Sequence, residues 1–132
     1  MAEGLTTRSS RSSVLRIALP GPYGTVHRGQ DRTVVELHGE IDIAACSLIG
    51  AYLDVVTAVR DHEVLVDLTQ VAFFDCSGLT LLCRALRRTA SNGGRLWVIC
   101  DRPAILRVFR ASGVLEVFQM LPTLDAAVAA QN

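Results

Sequence analysis

The feature that most constrains the fold is the segment 63–68, EVLVDL, which is nearly continuously apolar. A strand with one solvated face alternates apolar and polar side chains, whereas a strand covered on both faces can be apolar along its whole length. The segment therefore predicts a central strand of a sheet that carries other elements on both faces. The order of the elements around this strand then indicates the fold class.

A β-hairpin and two helices surround this strand in the sequence. Residues 25–28 and 33–38 predict the hairpin, because a polar turn separates them. The apolar period then changes from two to roughly 3.6, which predicts a helix before the central strand. Its expected buried stripe consists of Ala45, Leu48, Ile49, Tyr52, Leu53, Val56 and Val59. A second helix is predicted from Asp75 to the glycines at 93 and 94. Its expected buried face consists of Leu79, Leu82, Cys83, Leu86 and Ala90.

The last third of the sequence continues the alternation of strands and helices. Residues 95–100 predict a strand, and Pro103 predicts the start of a helix that ends near Gly113. Residues 114–120 could supply a short last strand. Thr123 has the residue type of an N-cap and predicts a final helix.

The whole pattern predicts one α/β domain with a mostly parallel sheet. We expect a mixed sheet of four to five strands, with the antiparallel hairpin at its N-terminal end and about four helices packed on it. The segment 69–74 is expected to connect the central strand to the second helix, and 14–19 is a weak candidate for another strand. Residues 1–22 contain the sequence RSSRSS and then a Pro-Gly-Pro breaker, so we expect a flexible arm followed by a domain over 23–132.

Charge and cysteine content limit the classes of partner. Thirteen basic and thirteen acidic residues balance, so no global field attracts nucleic acid or an anionic membrane directly. No uninterrupted apolar stretch of about 18 residues is present to span a membrane. The four cysteines show no C-x-x-C spacing and no export signal precedes them, which favours reduced thiols in the cytoplasm. A partner should therefore be recognised by a local patch.

Two polar loops are predicted to meet at one edge of the sheet. In a β-α-β unit, the loops that follow the two strands emerge at the same edge, and here they are 39–42 and 75–78. The second loop starts a helix, where free N–H groups favour an anion. A phosphate on Ser77 would add about −1.5 to −2 charges near Asp75 and Asp42, and it would repel an acidic or close-packed partner. The commoner use of Asp75 or Ser77 at this position is to cap the helix.

Four linked motifs give the sequence a family resemblance. They are Gly-Glu-Ile-Asp at 39–42, Asp-Leu at 67–68, Phe-Phe-Asp-Cys-Ser-Gly-Leu at 73–79, and Gly-Gly at 93–94. Together, and in this order between about residues 25 and 130, they resemble the STAS domain of bacterial anti-sigma factor antagonists. One position departs from the Asp-Ser-Ser-Gly pattern of that family, because Cys76 replaces the first serine.

The resemblance implies that the protein regulates bacterial transcription, for example in a stress response, and that it is not an enzyme. Ser77 would be phosphorylated by a partner anti-sigma factor that is also a serine kinase, and a PP2C-type phosphatase would reverse the modification. The unphosphorylated protein would bind the anti-sigma factor and free a sigma factor. The ATP and the metal belong to these partners, so no cofactor is expected, and the protein would be a monomer or weak dimer. The expected partner-binding residues are Gly39, Glu40, Asp42, Asp75, Cys76, Ser77, Gly78 and Leu79.

Other interpretations of the same residues remain open. The domain could be a STAS scaffold whose Ser77 is never modified. A remote alternative is a small hydrolase with Cys76 as nucleophile, which would need an oriented histidine; His38 is the histidine closest in sequence to a strand end. A metal site from Cys76, Cys83 and a histidine is less favoured because buried packing explains Cys83. Arg84, Arg87 and Arg88 form either a solvated face or a patch for an acidic partner.

Overall fold

The sheet is built around the apolar segment 63–68. The computed structural model of the chain describes residues 15–131 and places this segment in a central strand. The strands of the described residues are, in chain order, β1 (Leu15–Ala18), β2 (Gly24–Arg28), β3 (Arg32–Ile41), β4 (Glu63–Phe74), β5 (Arg95–Ile99) and β6 (Gln119–Leu121). The helices are α1 (Ile43–Thr57), α2 (Cys76–Ser91), α3 (Pro103–Ala111) and α4 (Leu124–Gln131).

The sheet contains the six strands in the same order as the chain. β1 pairs with β2, and β2 with β3, in antiparallel fashion, and the other three pairings are parallel. The predicted α/β domain with a mixed sheet and an N-terminal antiparallel hairpin is therefore confirmed. The sheet has more strands than the four to five expected because two short strands, β1 and β6, extend its edges.

Strand β4 is covered on both faces, as its apolar sequence predicts. Val64, Val66 and Leu68 belong to a large core that also contains residues of α1, α2 and α3. Leu65 points to the other face, where a smaller cluster contains Ala127 of α4. All the side chains of this apolar stretch, from 64 to 68, are buried.

The central strand is longer than expected. The segment 69–74 continues β4 and is not a connection, because its residues still pair with β3: Gly39 lies opposite Val71, and Ile41 opposite Phe74. The register shifts twice along this pairing, between Glu36 and His38 and between Gly39 and Glu40. Such irregularities bend a strand locally and leave a residue unpaired without ending the sheet.

Helix α1 is apolar around much of its circumference. The set of residues that the sequence predicts to be buried is therefore partly wrong. The residues that face the core are Ala45, Ile49, Leu53 and Val56. Leu48 and Tyr52 were expected among them but are 46% and 38% exposed. Ile43 and Val55 are even more exposed. In α2, Ala90 is exposed, whereas Ala85 and Thr89 are buried beside Leu79 and Leu82.

The first described strand, β1, lies inside the segment 1–22 that was expected to be a flexible arm. Residues 1–14, with most of that segment, lie outside the described residues. Ile17 of β1 pairs opposite Val26 of β2, and Leu19 is 3% exposed in the core. Residues 15–18 therefore extend the antiparallel hairpin by one strand, and Leu19 joins the core with Ile17 packed against it, whereas Leu15 is exposed.

A buried hydrogen bond at the N-terminal end of β4 makes stability depend on pH. His62 Nε2 lies 2.8 Å from Thr33 Oγ1, and burial, followed by the neighbouring Arg28, lowers the pKa of His62. The unfolded chain then binds a proton more readily than the folded protein. Stability should be full above the ordinary histidine value of about 6.5 and should fall as the pH drops below it.

We therefore expect the urea midpoint of unfolding to decrease between pH 7.5 and pH 5.5. His62→Gln can keep a hydrogen bond to Thr33 but cannot be protonated, so its midpoint should change less over this range. An equal slope for the variant and the unmodified protein would contradict the assignment to His62.

Candidate functional site

The two segments predicted as loops, 39–42 and 75–78, lie side by side at the carboxyl ends of β3 and β4. They are mostly regular structure, because 39–41 end β3 and 76–78 begin α2, and we keep the term loops for these two segments. Ile41 and Phe74, the last residues of the two strands, are paired in the sheet. Each strand is followed by a single aspartate and then by a helix, α1 after Asp42 and α2 after Asp75. The pairing therefore brings two helix N-termini and two carboxylates to the same edge of the sheet.

Both aspartates cap the helices that they precede. Asp75 accepts a hydrogen bond from the backbone N–H of Ser77 at 2.9 Å, and Asp42 accepts one from Ala45 at 3.0 Å. Both cap residues have extended backbones, which is the conformation of an N-cap. The capping interpretation therefore holds for Asp75, and the Ser77 hydroxyl is not needed for this purpose.

Ser77 occupies the second position of α2. Its side chain is half-buried, and its backbone N–H is bound by Asp75. Among the residues that the structure describes, none forms a hydrogen bond with Ser77 Oγ. The preceding Cys76 is exposed and its thiol is free. The first turn of α2 contains no acidic side chain, so a new anion would meet the positive end of the helix and the carboxylate of the cap.

Gly78 lets the first turn of α2 pack directly on an aromatic ring. A Cβ at this position would lie 2.5 Å from Cε1 of Phe74. Phe74 cannot easily move away, because its ring stacks on Phe109 with centroids 5.6 Å apart, and Phe109 in turn meets Phe118 edge-on at 5.3 Å. Leu79 is also buried. The structure thus places Gly78 and Leu79 under the site, where they fix its shape.

The segment 39–42 contains a glycine in the left-handed region at the irregular end of β3. Gly39 has φ +77° and sits at the second register shift of the β3–β4 pair. A Cβ there would meet no atom within 4 Å, so the glycine is required by the backbone conformation and not by space. The next residue, Glu40, is exposed and lies opposite Phe73, whose side chain is 48% exposed. The alternation of the sequence did not indicate this exposed ring.

A groove runs between α1 and α2 away from the two loops. We call it the α1/α2 groove, and its volume is about 600 Å³. It is lined by Ile43, Cys46, Ser47 and Gly50 of α1 and by Ser77, Thr80, Leu81, Arg84 and Arg87 of α2. The sequence predicted only Ser77 and the arginines as functional candidates. The signal for the rest is the surplus of apolar and small residues on α1 beyond the face that the core covers.

The electrostatic character changes along this groove. At its loop end, burial raises the pKa of the Cys46 thiol, and the nearby carboxylates of Asp75 and Asp42 raise it further. At the other end, Arg84 donates two hydrogen bonds to the carboxylate of Asp54, at 2.9 and 3.0 Å. This contact lowers the pKa of Asp54. The groove is thus acidic beside Ser77 and basic toward the C-terminal half of α2.

The three arginines of α2 have different surroundings. Arg84 and Arg88 connect α2 to α1, because Arg88 donates to the backbone oxygen of Asp54 at 2.9 Å and to Thr57 Oγ1 at 3.2 Å. No ion pair involving Arg87 is found within residues 15–131. Part of the predicted basic patch therefore joins the two helices, whereas Arg87 lines the groove without an ionic partner among residues 15–131.

The structure offers little support for a thiol nucleophile. His62 lies just before β4 and Cys76 just after it, so a strand of about 35 Å separates them. His38 is engaged with Glu36 at 3.1 Å. The described residues contain no cluster of three or more side chains suited to a metal ion. In the same part of the chain, no helix has the length and apolar character needed to cross a membrane.

Comparison with known proteins supports the resemblance that the sequence motifs suggest. A model of the STAS domain family matches residues 24–127. The chain is 25% identical to an anti-sigma factor antagonist from Mycobacterium paratuberculosis, with a TM-score of 0.72 over 89% of this chain and 93% of that chain. It is 23% identical to the unphosphorylated form of the anti-sigma factor antagonist SpoIIAA, with a TM-score of 0.66 over 78% and 90% of the two chains. The phosphorylated form of SpoIIAA, a cell fate determinant of Bacillus, matches with 20% identity and a TM-score of 0.62 over 91% and 100%.

The contact between Gly78 and Phe74 generates a prediction about stability. Gly78→Ala should destabilise the domain by about 1–3 kcal/mol, because the added methyl group overpacks a ring that cannot retreat. Gly50→Ala is the matched control, since its Cβ would lie 3.5 Å from Leu81. The control should be stabilised by about 0.5–1 kcal/mol, the usual gain of alanine over glycine inside a helix. Urea unfolding measures both, and a neutral Gly78→Ala would contradict the packing argument.

Proposed function

The chain belongs to the STAS domain family, and from this membership we propose that it is an anti-sigma factor antagonist whose binding is switched by phosphorylation of Ser77. The general role agrees with the similarity to anti-sigma factor antagonists. In the proposed cycle, the unphosphorylated protein binds an anti-sigma factor and thereby frees a sigma factor. The anti-sigma factor is also the serine kinase, and a PP2C-type phosphatase restores the binding form. The protein acts as a binding partner and not as an enzyme.

The observation that carries this proposal is the environment of the Ser77 hydroxyl. Ser77 is half-buried at the start of α2 and lines the α1/α2 groove. Its hydroxyl is not needed to cap the helix, because Asp75 does so. A hydroxyl without a structural task can be modified at little cost to the fold. Phosphoryl transfer replaces its proton with a phosphoryl group from ATP, and the ATP and its metal ion are supplied by the kinase.

The proposed switch works through charge and volume at the edge of the sheet. A phosphate on Ser77 adds about −1.5 to −2 charges beside the carboxylate of Asp75 and near that of Asp42, which act together on Cys46. The same group occupies space at one end of the groove. A partner that packs closely against α2 loses contact and meets negative charge, while the domain itself stays folded.

The remaining site residues have distinct proposed roles. In the proposal, Glu40 and Cys76, which are exposed, contact the partner. Asp42 and Asp75 cap the two helices and supply negative charge. Gly39, Gly78 and Leu79 give the two loops their shape. The exchange takes place in the cytoplasm, where ATP is available and where the free thiols of the chain stay reduced. The protein acts as a monomer or weak dimer.

The first test is direct phosphorylation. Incubation with ATP and the serine-kinase anti-sigma factors of the same organism should add one phosphate, mapped to Ser77 by mass spectrometry. Ser77→Ala should abolish the labelling. Cys76→Ser should retain it, because Cys76 is not the acceptor and precedes it at the exposed start of the helix. Absence of label at Ser77 with every such kinase would leave a STAS scaffold without a switch.

The second test separates the effect of charge from that of the hydroxyl. Ser77→Asp should weaken binding to the anti-sigma factor by at least about tenfold, since an unfavourable charge at an interface costs more than about 1.4 kcal/mol. Ser77→Ala should bind within about twofold of the unmodified protein. Isothermal titration calorimetry measures both affinities, and full affinity of Ser77→Asp would rule out repulsion as the mechanism.

A further inference from the structure

We propose that the α1/α2 groove receives an amphipathic helix of the partner protein, with acidic side chains of that helix placed over Arg87. The inference rests on the proposed function, because the partner is the anti-sigma factor, but it concerns a surface that extends well beyond Ser77. It identifies the kind of segment that binds and the sign of the charge that this segment carries beside Arg87.

The length of the groove fits a short helix. Its lining on α2 extends from Ser77 to Arg87, and ten residues of helix rise about 15 Å. A helix that lies in a groove anchors through side chains at i, i+3 or i+4, and i+7, which span about 10 Å, so three such anchors fit within this length. The volume of about 600 Å³ is of the size that a few apolar side chains fill.

The floor of the groove suits apolar anchors. Gly50 of α1 faces Leu81 of α2, and a Cβ at position 50 would lie 3.5 Å from Cδ1 of that leucine. The absence of a side chain at Gly50 is what leaves this space open. At the loop end, Ile43 is 73% exposed, which is a large apolar surface for the first residue of a helix, and it adds an apolar contact at the mouth of the groove.

The charges determine which partner fits. Asp54 engages Arg84 through a two-oxygen contact, and Asp54 also lies 3.4 Å from Arg88. Arg87 has no such counter-charge within the described residues, although it lines the groove. An acidic side chain on the partner would supply that counter-charge. A helix with the opposite pattern, basic at this end, would meet Arg87 with like charge and would be disfavoured.

Two pairs of variants test the groove while leaving the phosphorylation site intact. Gly50→Leu fills the groove and places a good helix former inside α1, whereas Ala51→Leu adds the same side chain at the next position, which is exposed and does not line the groove. Arg87→Glu reverses the charge at the groove, whereas Arg107→Glu makes the same change at an exposed position of α3. Circular dichroism and urea unfolding establish that all four variants are folded.

Binding to the serine-kinase anti-sigma factors of the organism is then measured by isothermal titration calorimetry. Gly50→Leu and Arg87→Glu should each weaken binding by about tenfold or more, and the two controls should stay within about twofold. If both groove variants bind like the unmodified protein while Ser77→Asp loses affinity, the groove is not the docking surface and the proposed function stands. If the unmodified protein binds none of these anti-sigma factors, both proposals fail.

Photo-crosslinking identifies the occupant of the groove. A photoreactive amino acid at Ser47, which is exposed and lines the groove, should crosslink to a helical segment of the anti-sigma factor that carries acidic residues. The same amino acid at Ala51 should give a much weaker product. A crosslink from Ser47 to a loop, a strand or a helix without acidic residues would overturn the proposed occupant.

Discussion

The parallel pairing of β3 with β4 determines where the chain can act. This pairing ends with Ile41 beside Phe74, and one residue later each strand turns into the cap of a helix. Without that alignment, the two aspartates and the start of α2 would not share an edge of the sheet. The register is not that of an ideal parallel pair, because it contains two shifts and a left-handed Gly39 shortly before the strands end. The irregular part of the sheet is thus the part that positions the site.

Two opposing effects of the same order act on a phosphate at Ser77 within the domain. A negative charge in the first turn of an exposed helix gains about 0.3–1 kcal/mol from the helix dipole. Repulsion from one carboxylate a few ångströms away in water costs about 1 kcal/mol, and the cap residue Asp75 is such a carboxylate. Since neither effect dominates, modification should change the fold little. The modification instead changes the affinity for a partner, because the partner brings its own groups into the same space and excludes the water that screens these charges.

The sequence predicted the fold and the loop pair for reasons that can be traced to particular residues. The apolar stretch from Val64 to Leu68 indicated a strand covered on both faces. Asp75 has the residue type of a helix cap, and the structure confirms that cap, whereas the equivalent cap by Asp42 was not predicted. The exposed face of α1 could not be predicted, because Leu48 and Tyr52 are as apolar as the residues that the core covers. Periodicity identifies a face only when the opposite face is polar. The groove was missed for a related reason, since it depends on the absent side chain of Gly50 and on residues from two helices.

The arginines of α2 link the packing of the two helices to the shape of the surface between them. Arg84 and Arg88 of α2 donate hydrogen bonds to Asp54, near the end of α1. Asn92 donates a further hydrogen bond of 3.1 Å to the carbonyl oxygen of Thr57. These contacts lie at the end of the helices opposite Ser77. At the loop end, the sheet itself fixes the spacing of the helices through the paired strand ends. The width of the groove is therefore set at both ends by independent contacts, and a partner meets a preformed surface whose one adjustable group is the modifiable hydroxyl of Ser77.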